Sequence, residues 1–175
     1  MSAVSVAEGP LRVALAGFGT VGQGVYDLLL ADQARFQLVG VACRDPERHI
    51  AAGAPAALLT RDAHTFPAHD ILVEAIGGLD AAGDLVAGAL SRGVHVVTAN
   101  KSLVARRYEA LHAAARGRAR LRYSAAVGGG VPMLETVEAT AREGAIVRLD
   151  AVVNGTTNFV LDRIGAGLDA GEAIR

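Results

Sequence analysis

The sequence predicts an α/β fold with a doubly wound parallel sheet, followed by the beginning of a second, α+β domain. Three observations support this prediction: short apolar runs alternate with longer helical segments, a glycine-rich turn joins the first strand to the first helix, and the pattern changes near Ala145. Strands that alternate with helices in this way form parallel βαβ units whose sheet is covered on both faces. We therefore place one domain in residues 1–144 and the start of another in residues 145–175.

Short apolar runs predict six buried strands in the first domain. These strands are Leu11–Ala16, Phe36–Cys43, Leu58–Arg61, Asp70–Ile76, Val94–Thr98 and Leu121–Ala125. The helices predicted between and after them are Val21–Ala31, Glu47–Gly53, Ala81–Arg92, Lys101–Ala115 and Pro132–Glu143. Connections between parallel strands of one sheet are right-handed, so these helices cover both faces.

The segment after Ala145 has a different character. A strand is predicted over Ile146–Val153, and it would be an exposed edge if its sheet were incomplete. A helix from Phe159 to about Gly167 follows, and another begins at Ala170. Since no C-cap signal follows this last helix, we expect the chain to be a fragment of a longer protein, with a frayed natural terminus as the alternative.

Composition excludes several classes of protein. Seventeen basic and eighteen acidic residues leave a net charge of −1, so bulk charge does not indicate a nucleic acid or a membrane as partner. The single cysteine, Cys43, excludes a disulfide framework and favours a reducing compartment, with the cytoplasm as the expected location. No apolar run approaches the ~18 residues of a spanning helix, and Met1–Pro10 does not resemble a signal peptide.

The turn after the first strand has the pattern G-x-G-x-x-G. Between a strand and a helix, this pattern is typical of a dinucleotide-binding Rossmann domain. The first glycine permits a tight turn, the second lets the backbone approach a pyrophosphate, and the third lets the helix pack against the strand. The helix N-terminus offers free N–H groups to the phosphates. The predicted cofactor-binding residues of this turn are Gly17, Phe18, Gly19, Thr20, Val21 and Gly22.

The end of the second strand bears on the choice of cofactor. An acidic residue there binds the ribose 2′-hydroxyl of NAD, whereas an arginine suits the 2′-phosphate of NADP. The sequence offers both, as Arg44 and then Asp45. Arg44 follows the strand first, and a guanidinium matches a phosphate well, so we predict that Arg44 contacts NADP, with NAD as a possible second cofactor.

Five blocks in this order resemble the N-terminal part of homoserine dehydrogenase. They are GFGTVG at Gly17–Gly22, VEAIGG at Val73–Gly78, VTANKSL at Val97–Leu103, AVGGGVP within Ala125–Pro132, and NGTTN at Asn154–Asn158. The resemblance covers essentially the whole chain. It implies NAD(P)-dependent interconversion of L-homoserine and aspartate 4-semialdehyde, in the biosynthesis of threonine, methionine and isoleucine, and a homodimer in the full-length protein.

The resemblance also implies further site residues. Cofactor contacts are expected at the ends of later strands, from Ile76, Gly77, Gly78, Thr98, Asn100 and Lys101. Lys101 is also the candidate catalytic residue near the substrate. A cation beside the positive end of a helix is unfavourable, which favours a functional interpretation of this lysine over a solvated one.

Asn154, Gly155 and Thr156 are the expected substrate-binding residues. An alternative interpretation of this block is helix capping, because Thr157 or Asn158 before Phe159 is a suitable N-cap. A cap and a ligand contact can also coexist at the same turn.

A sodium ion is implied near the glycine triplet, with backbone ligands from Val127, Gly129 and Val131. Ser124 stands where the family has a glutamate. Because a hard cation favours anionic oxygen ligands, we expect sodium binding to be weak or absent.

The family's general acid is a lysine, assisted by an aspartate, beyond position 175, whereas Lys101 is the only lysine here. We therefore expect the isolated chain to bind cofactor with little or no turnover. Two alternatives stay open: a non-catalytic NADP-binding module or sensor, and a Rossmann reductase for another semialdehyde or imine. Cys43 lacks the context of an activated nucleophile, which argues against aspartate-semialdehyde dehydrogenase.

Overall fold

The computed structural model of the chain describes residues 9–151 and 154–174. The chain forms two compact units, of which the first ends at Ala126 and the second begins at Val127. Each unit is described by itself. The domain boundary predicted after residue 144 stays a prediction.

The first unit is built on a six-stranded sheet in the order β3-β2-β1-β4-β5-β6. The strands are β1 (Leu11–Ala16), β2 (Phe36–Ala42), β3 (Leu59–Thr60), β4 (Ile71–Glu74), β5 (His95–Thr98) and β6 (Leu121–Arg122). Every neighbouring pair is parallel. The order reverses between β1 and β4, as in Rossmann folds, and this confirms the predicted fold class.

Four helices connect these strands, and two begin with a side-chain cap. They are α1 (Thr20–Ala31), α2 (Pro46–Ala51), α3 (Asp80–Ser91) and α4 (Lys101–Ala115), with short 3-10 turns at Ala56–Leu58, Ala63–Thr65 and Ser124–Ala126. Asp45 accepts a hydrogen bond from the Arg48 N–H, and Asn100 accepts one from the Leu103 N–H. These bonds satisfy N–H groups that lack partners within the first turn of a helix.

Alternating residues of β1 contribute to two hydrophobic clusters. Ala14 and Ala16 belong to a large cluster that includes Leu72 of β4 and residues of α3 and α4. Leu15 belongs to a smaller cluster with Phe18 and the partly buried Val25 of α1. Successive side chains of a strand point to opposite faces, so both faces of the sheet are covered.

The sixth strand is shorter than predicted. It ends at Arg122 rather than Ala125, because Ser124–Ala126 form a 3-10 turn in which the Ala126 N–H donates to the Tyr123 carbonyl. The apolar character of this segment reflects burial of Ala126 rather than strand pairing.

The second unit contains α5 (Met133–Glu143), α6 (Gly155–Gly165) and α7 (Ala170–Ile174). The strand predicted over Ile146–Val153 is wrong for residues 146–151, which form no regular element, while residues 152 and 153 lie outside the described ranges. A strand needs a hydrogen-bonded partner, and the described part of this unit contains no strand to pair with. Val147 is accordingly 96% exposed.

Helix α6 begins earlier than predicted. It starts at Gly155 rather than Phe159, because Asn154 accepts a hydrogen bond of 3.0 Å from the Thr157 N–H. Asn154 is therefore the N-cap. Among the described residues, no helix has both the length and the apolar character needed to cross a membrane.

Candidate cofactor-binding site

The turn after β1 is fixed between the ends of β2 and β4. Gly17 has a φ of +104°, and a Cβ at this position would overlap the carbonyl of Ala75, which follows β4. The Gly17 N–H donates to the Ala42 carbonyl at the end of β2, at 2.9 Å. Only glycine meets both the left-handed conformation and the close approach of the two backbones.

Helix α1 presents an open N-terminus. Gly19 is its N-cap and supplies no side-chain bond, and a Cβ at Gly19 would have no atom within 4 Å. The Gly19 carbonyl accepts the bond of the Gln23 N–H at 2.8 Å, so the earlier N–H groups of the helix stay available. Gly22 is buried, and a Cβ there would overlap the Gly17 carbonyl. This bare, positively polarised turn fits a pyrophosphate.

A cavity of about 940 Å³ lies in front of this turn in the first unit. Four stretches that follow strands line it, namely the turn after β1, the segment that joins β2 to α2, the segment after β3 and the loop after β4, together with residues of α2 and α3. Its volume suits a small-molecule or cofactor site. The predicted cofactor residues on its wall are Gly17, Phe18, Gly19, Thr20, Arg44, Ile76, Gly77 and Gly78.

Phe18 lies on the cavity wall and is largely buried. Its side chain is 8% exposed, and its ring lies 4.5 Å from the His49 ring and 5.2 Å from the Tyr26 ring, measured between centroids. Val21, in the first turn of α1, is largely exposed and is not on the cavity wall. The ring contacts show that the side chain of Phe18 packs against α1 and α2.

Basic side chains gather at the β2 end of the cavity. Arg44 is exposed on the wall, together with Arg48 and Arg61. Arg61 pairs with Glu47, whereas neither Arg44 nor Arg48 has an ion pair in the described ranges. Asp45, the acidic alternative, receives the Arg48 N–H at 3.2 Å as the cap of α2. This end of the cavity therefore suits an anionic group.

Cys43 also lines the cavity near Arg44. Burial raises the pKa of the Cys43 thiol above its ordinary value. A thiol with a raised pKa stays protonated at neutral pH and is a poor nucleophile. This agrees with the inert side chain expected from the sequence.

The ends of β4 and β5 are joined by a buried polar network that the sequence reading did not assign. Glu74 and Thr98 are fully buried, and Asn100 is 6% exposed. The Glu74 carboxylate accepts bonds from the N–H groups of Ile76 at 2.9 Å and Gly77 at 3.0 Å, and from the Thr98 hydroxyl at 2.5 Å. An acidic residue at the end of an apolar strand was the signal that could have revealed this role.

Thr98 and Asn100 lie behind the cavity wall rather than on it. The Thr98 hydroxyl accepts the Asn100 N–H at 2.9 Å, and the Asn100 amide donates to the Gly78 carbonyl at 2.7 Å. Their side-chain groups are thus bonded within the protein. Lys101 is the first residue of α4 and is exposed, with no ion pair in the described part of the chain.

The predicted substrate residues belong to the second unit. Asn154 caps α6, and Gly155 and Thr156 form its exposed first turn. The capping interpretation is therefore right for this block, although the capping residue is Asn154 rather than Thr157 or Asn158. A ligand contact at this turn stays a prediction.

The residues of the predicted sodium site form a glycine turn. Gly128 and Gly129 have φ values of +76° and +62°, and the Val131 N–H donates to the Gly128 carbonyl at 3.2 Å. Val127 begins this unit, and Ser124 opens the last 3-10 turn of the first unit. Weak or absent sodium binding stays a prediction.

Comparison with known proteins agrees with this site. The family model described as homoserine dehydrogenase, NAD-binding domain, matches residues 17–123. A homoserine dehydrogenase of Synechocystis is 34% identical over 174 residues, which cover 91% of this chain and 40% of that protein. The chain therefore spans about two fifths of the length of this relative.

Two solved structures have the same fold. A homoserine dehydrogenase from Thiobacillus denitrificans matches with a TM-score of 0.80 and 34% identity, over 94% of this chain and 41% of that chain. A hyperthermophilic archaeal homoserine dehydrogenase in complex with NADPH matches with a TM-score of 0.75 and 21% identity, over 94% and 59% of the two chains. The glycine turn, the sheet order and the family match confirm the predicted resemblance, and the chain belongs to the homoserine dehydrogenase NAD-binding domain family.

Proposed function

We propose that this chain is the cofactor-binding part of a homoserine dehydrogenase, an oxidoreductase that interconverts L-homoserine and aspartate 4-semialdehyde. One observation carries the proposal: the bare turn Gly17–Gly22 opens α1 on a cavity that it shares with Gly77 and Gly78. The family to which the chain belongs supports the reaction. We place the protein in the cytoplasm, on the basis of its single cysteine, which forms no disulfide.

The residues of the first unit bind and orient a nicotinamide dinucleotide in this proposal. The cofactor supplies the hydride. The N–H groups at the start of α1 hold its pyrophosphate, while Gly77 and Gly78 leave room for a ribose beside the backbone. Lys101 lies at the same edge of the sheet, where a cation stabilises negative charge that develops on the substrate oxygen.

We propose NADP as the preferred cofactor and Arg44 as the residue that selects it. Arg44 and Arg48 have no ion pair in the described ranges, so their guanidinium groups can receive the 2′-phosphate. Asp45 caps α2, which engages the carboxylate that would otherwise accept the ribose 2′-hydroxyl of NAD. A bidentate contact between guanidinium and phosphate is strong and directional.

Titration of the 175-residue chain with NADPH and NADH tests this proposal. We expect tighter binding of NADPH, measured by nicotinamide fluorescence. Arg44→Ala should weaken NADPH binding by about tenfold or more and leave NADH binding nearly unchanged, because a charged hydrogen bond contributes about 1.5–3 kcal/mol. Arg106→Ala, an exposed arginine of α4 away from the cavity wall, is the matched control. Equal losses for both cofactors, or no loss, would reject the role of Arg44.

The substrate step is proposed to need more of the protein than this chain. Asn154, Gly155 and Thr156 would orient homoserine, and the full-length protein would be a homodimer. The chain contains one lysine, Lys101, so we expect it to bind NADPH with little or no homoserine-dependent reduction of NADP. A spectrophotometric assay at 340 nm measures this reduction. A rate like that of a complete enzyme would contradict the expectation, and absence of any cofactor binding would reject the function itself.

A further inference from the structure

We propose that Glu74 is the positioning residue for the nicotinamide half of the cofactor. It acts by holding the loop after β4 and the start of α4 in one arrangement. This inference rests on the proposed function. Glu74 itself is fully buried and is not among the residues that line the cavity, so in this proposal it acts only through the groups that it binds.

The position of Glu74 in the sheet assigns it to one half of the site. A dinucleotide lies across the crevice where the strand order reverses, here between β1 and β4. Arg44 follows β2 on one side of this point, whereas Glu74 ends β4 on the other side. The adenine half therefore lies toward Arg44, and the nicotinamide half lies toward the loop that Glu74 binds.

A buried carboxylate without a cation needs a full set of hydrogen bonds. No arginine, lysine or histidine pairs with Glu74 in the described ranges, so donors must replace its lost hydration. One oxygen receives the Ile76 and Gly77 N–H groups and, at 3.5 Å, the Asn100 amide, and the other receives the Thr98 hydroxyl. Because all of these groups donate to one carboxylate, the bonds hold the loop after β4 and Thr98 of β5 against the same side chain.

The loop whose N–H groups donate two of these bonds contains two glycines in succession. Gly77 and Gly78 have successive φ values of +79° and +77°, and a Cβ at either position would have no atom within 4 Å. Two successive glycines in the left-handed region lose much conformational freedom on folding. The bonds from Ile76 and Gly77 to Glu74, together with the bond from the Asn100 amide to the Gly78 carbonyl, hold this backbone in place.

The same network reaches the start of α4. The Asn100 amide donates to the Gly78 carbonyl, and its oxygen accepts the Leu103 N–H at 3.1 Å. The Asn100 N–H in turn donates to the Thr98 hydroxyl, which donates to Glu74. Glu74 thus couples the glycine loop to the turn that presents Lys101.

Glu74→Gln is the direct test, because it preserves size and removes one acceptor. The glutamine oxygen can still accept the two loop N–H groups. Its NH2 group, however, is a donor and cannot accept the bond that the Thr98 hydroxyl gives to Glu74. We expect the affinity of the 175-residue chain for NADPH to fall about fivefold to tenfold, on the scale of one lost buried hydrogen bond. The affinity for adenosine 2′,5′-bisphosphate, which has only the adenine half, should stay within about twofold.

A second pair of variants keeps the test valid if Glu74→Gln does not fold. Thr98→Val removes the hydroxyl and should weaken NADPH binding selectively, whereas Thr98→Ser retains the hydroxyl and should restore it. Amide hydrogen exchange without ligand should show faster exchange of the Ile76 and Gly77 N–H groups in both Glu74→Gln and Thr98→Val. Thermal unfolding of each variant establishes that it is folded at the titration temperature.

The outcomes separate this inference from the proposed function. Selective loss of NADPH affinity, with the bisphosphate still bound, supports the role of Glu74. Equal losses for both ligands indicate general destabilisation and overturn it, as does unchanged NADPH binding in folded Glu74→Gln and Thr98→Val. A parent chain that binds neither ligand overturns the proposed function and this inference with it.

Discussion

Two glycines of α1, Gly22 and Gly24, differ in whether the structure has room for a side chain. Gly22 is buried where a Cβ would overlap the Gly17 carbonyl, whereas Gly24 is exposed and a Cβ there would have no atom within 4 Å. The first glycine permits close packing between the helix and the turn after β1. The second only adds conformational freedom to the unfolded chain.

Alanine substitutions should therefore change stability in opposite directions. Gly22→Ala should lower the free energy of unfolding by about 1–3 kcal/mol, because the backbone must move to admit the methyl group. Gly24→Ala should raise it by about 0.5–1 kcal/mol. Urea denaturation followed by circular dichroism measures both. A neutral Gly22→Ala variant that still binds NADPH would show that close packing at this turn is dispensable.

At the scale of elements, β1 and β4 are joined at their N-terminal ends by one ion pair. Asp70 accepts the Arg12 N–H and a bond from its guanidinium, each at 2.9 Å, and the Asp70 N–H returns a bond to the Arg12 carbonyl. The side-chain bond from Arg12 is the main reason that the pKa of Asp70 lies below its ordinary value. Both side chains are partly exposed, so the stabilisation is small.

This pair should make stability depend on acidic pH. A carboxyl whose pKa is lowered by folding stabilises the protein above its unfolded pKa of about 3.9, and that contribution is lost as the pH falls through the folded value. Asp70→Asn should therefore be less stable than the parent at pH 6, and the difference should shrink below about pH 4. Thermal unfolding across this range measures the effect. A difference that grows toward low pH would contradict the assignment.

Sequence patterns predicted the helices and strands that are determined by residues close together in the chain. Apolar runs located the strands of the first unit, and the glycine turn identified the start of α1, because each depends on residues close together in the chain. The strand over residues 146–151 was predicted wrongly, since apolar character alone does not supply a pairing partner. Asn154 was missed as a cap because Thr157 and Asn158 offered equally suitable side chains nearer the apolar residues.

The candidate site could be predicted only in part for a related reason. The roles proposed for Gly17–Gly22 and Arg44 depend on residues near their own strand ends, so a short window of sequence is enough to suggest them. Glu74 accepts a hydrogen bond from Thr98, which is 24 residues away in sequence and becomes its neighbour only through pairing of β4 with β5. A contact of that kind depends on tertiary structure. The only indication of it in the sequence is an acidic residue within an apolar run.

At the scale of the whole molecule, the cavity is formed entirely by residues of the first unit. All its lining residues lie between Gly17 and Leu85, within the unit that ends at Ala126. The chain shortened to residues 1–126 should therefore fold and bind NADPH within about threefold of the 175-residue chain, a difference below 1 kcal/mol. Fluorescence titration measures the affinity, and circular dichroism checks the fold. A loss of binding in a folded short chain would show that later residues contribute.

Lys101 gives the molecule a chemical property that none of its arginines shares. It is the only lysine in the sequence and is exposed at the start of α4. An acylating reagent can therefore modify one side-chain amine, besides the terminal amine. Trypsin does not cleave after an acylated lysine, so a longer peptide that spans Lys101 reports the modification. Protection of that amine by NADPH would map the occupied edge of the sheet by mass spectrometry alone, with neither a substrate nor turnover.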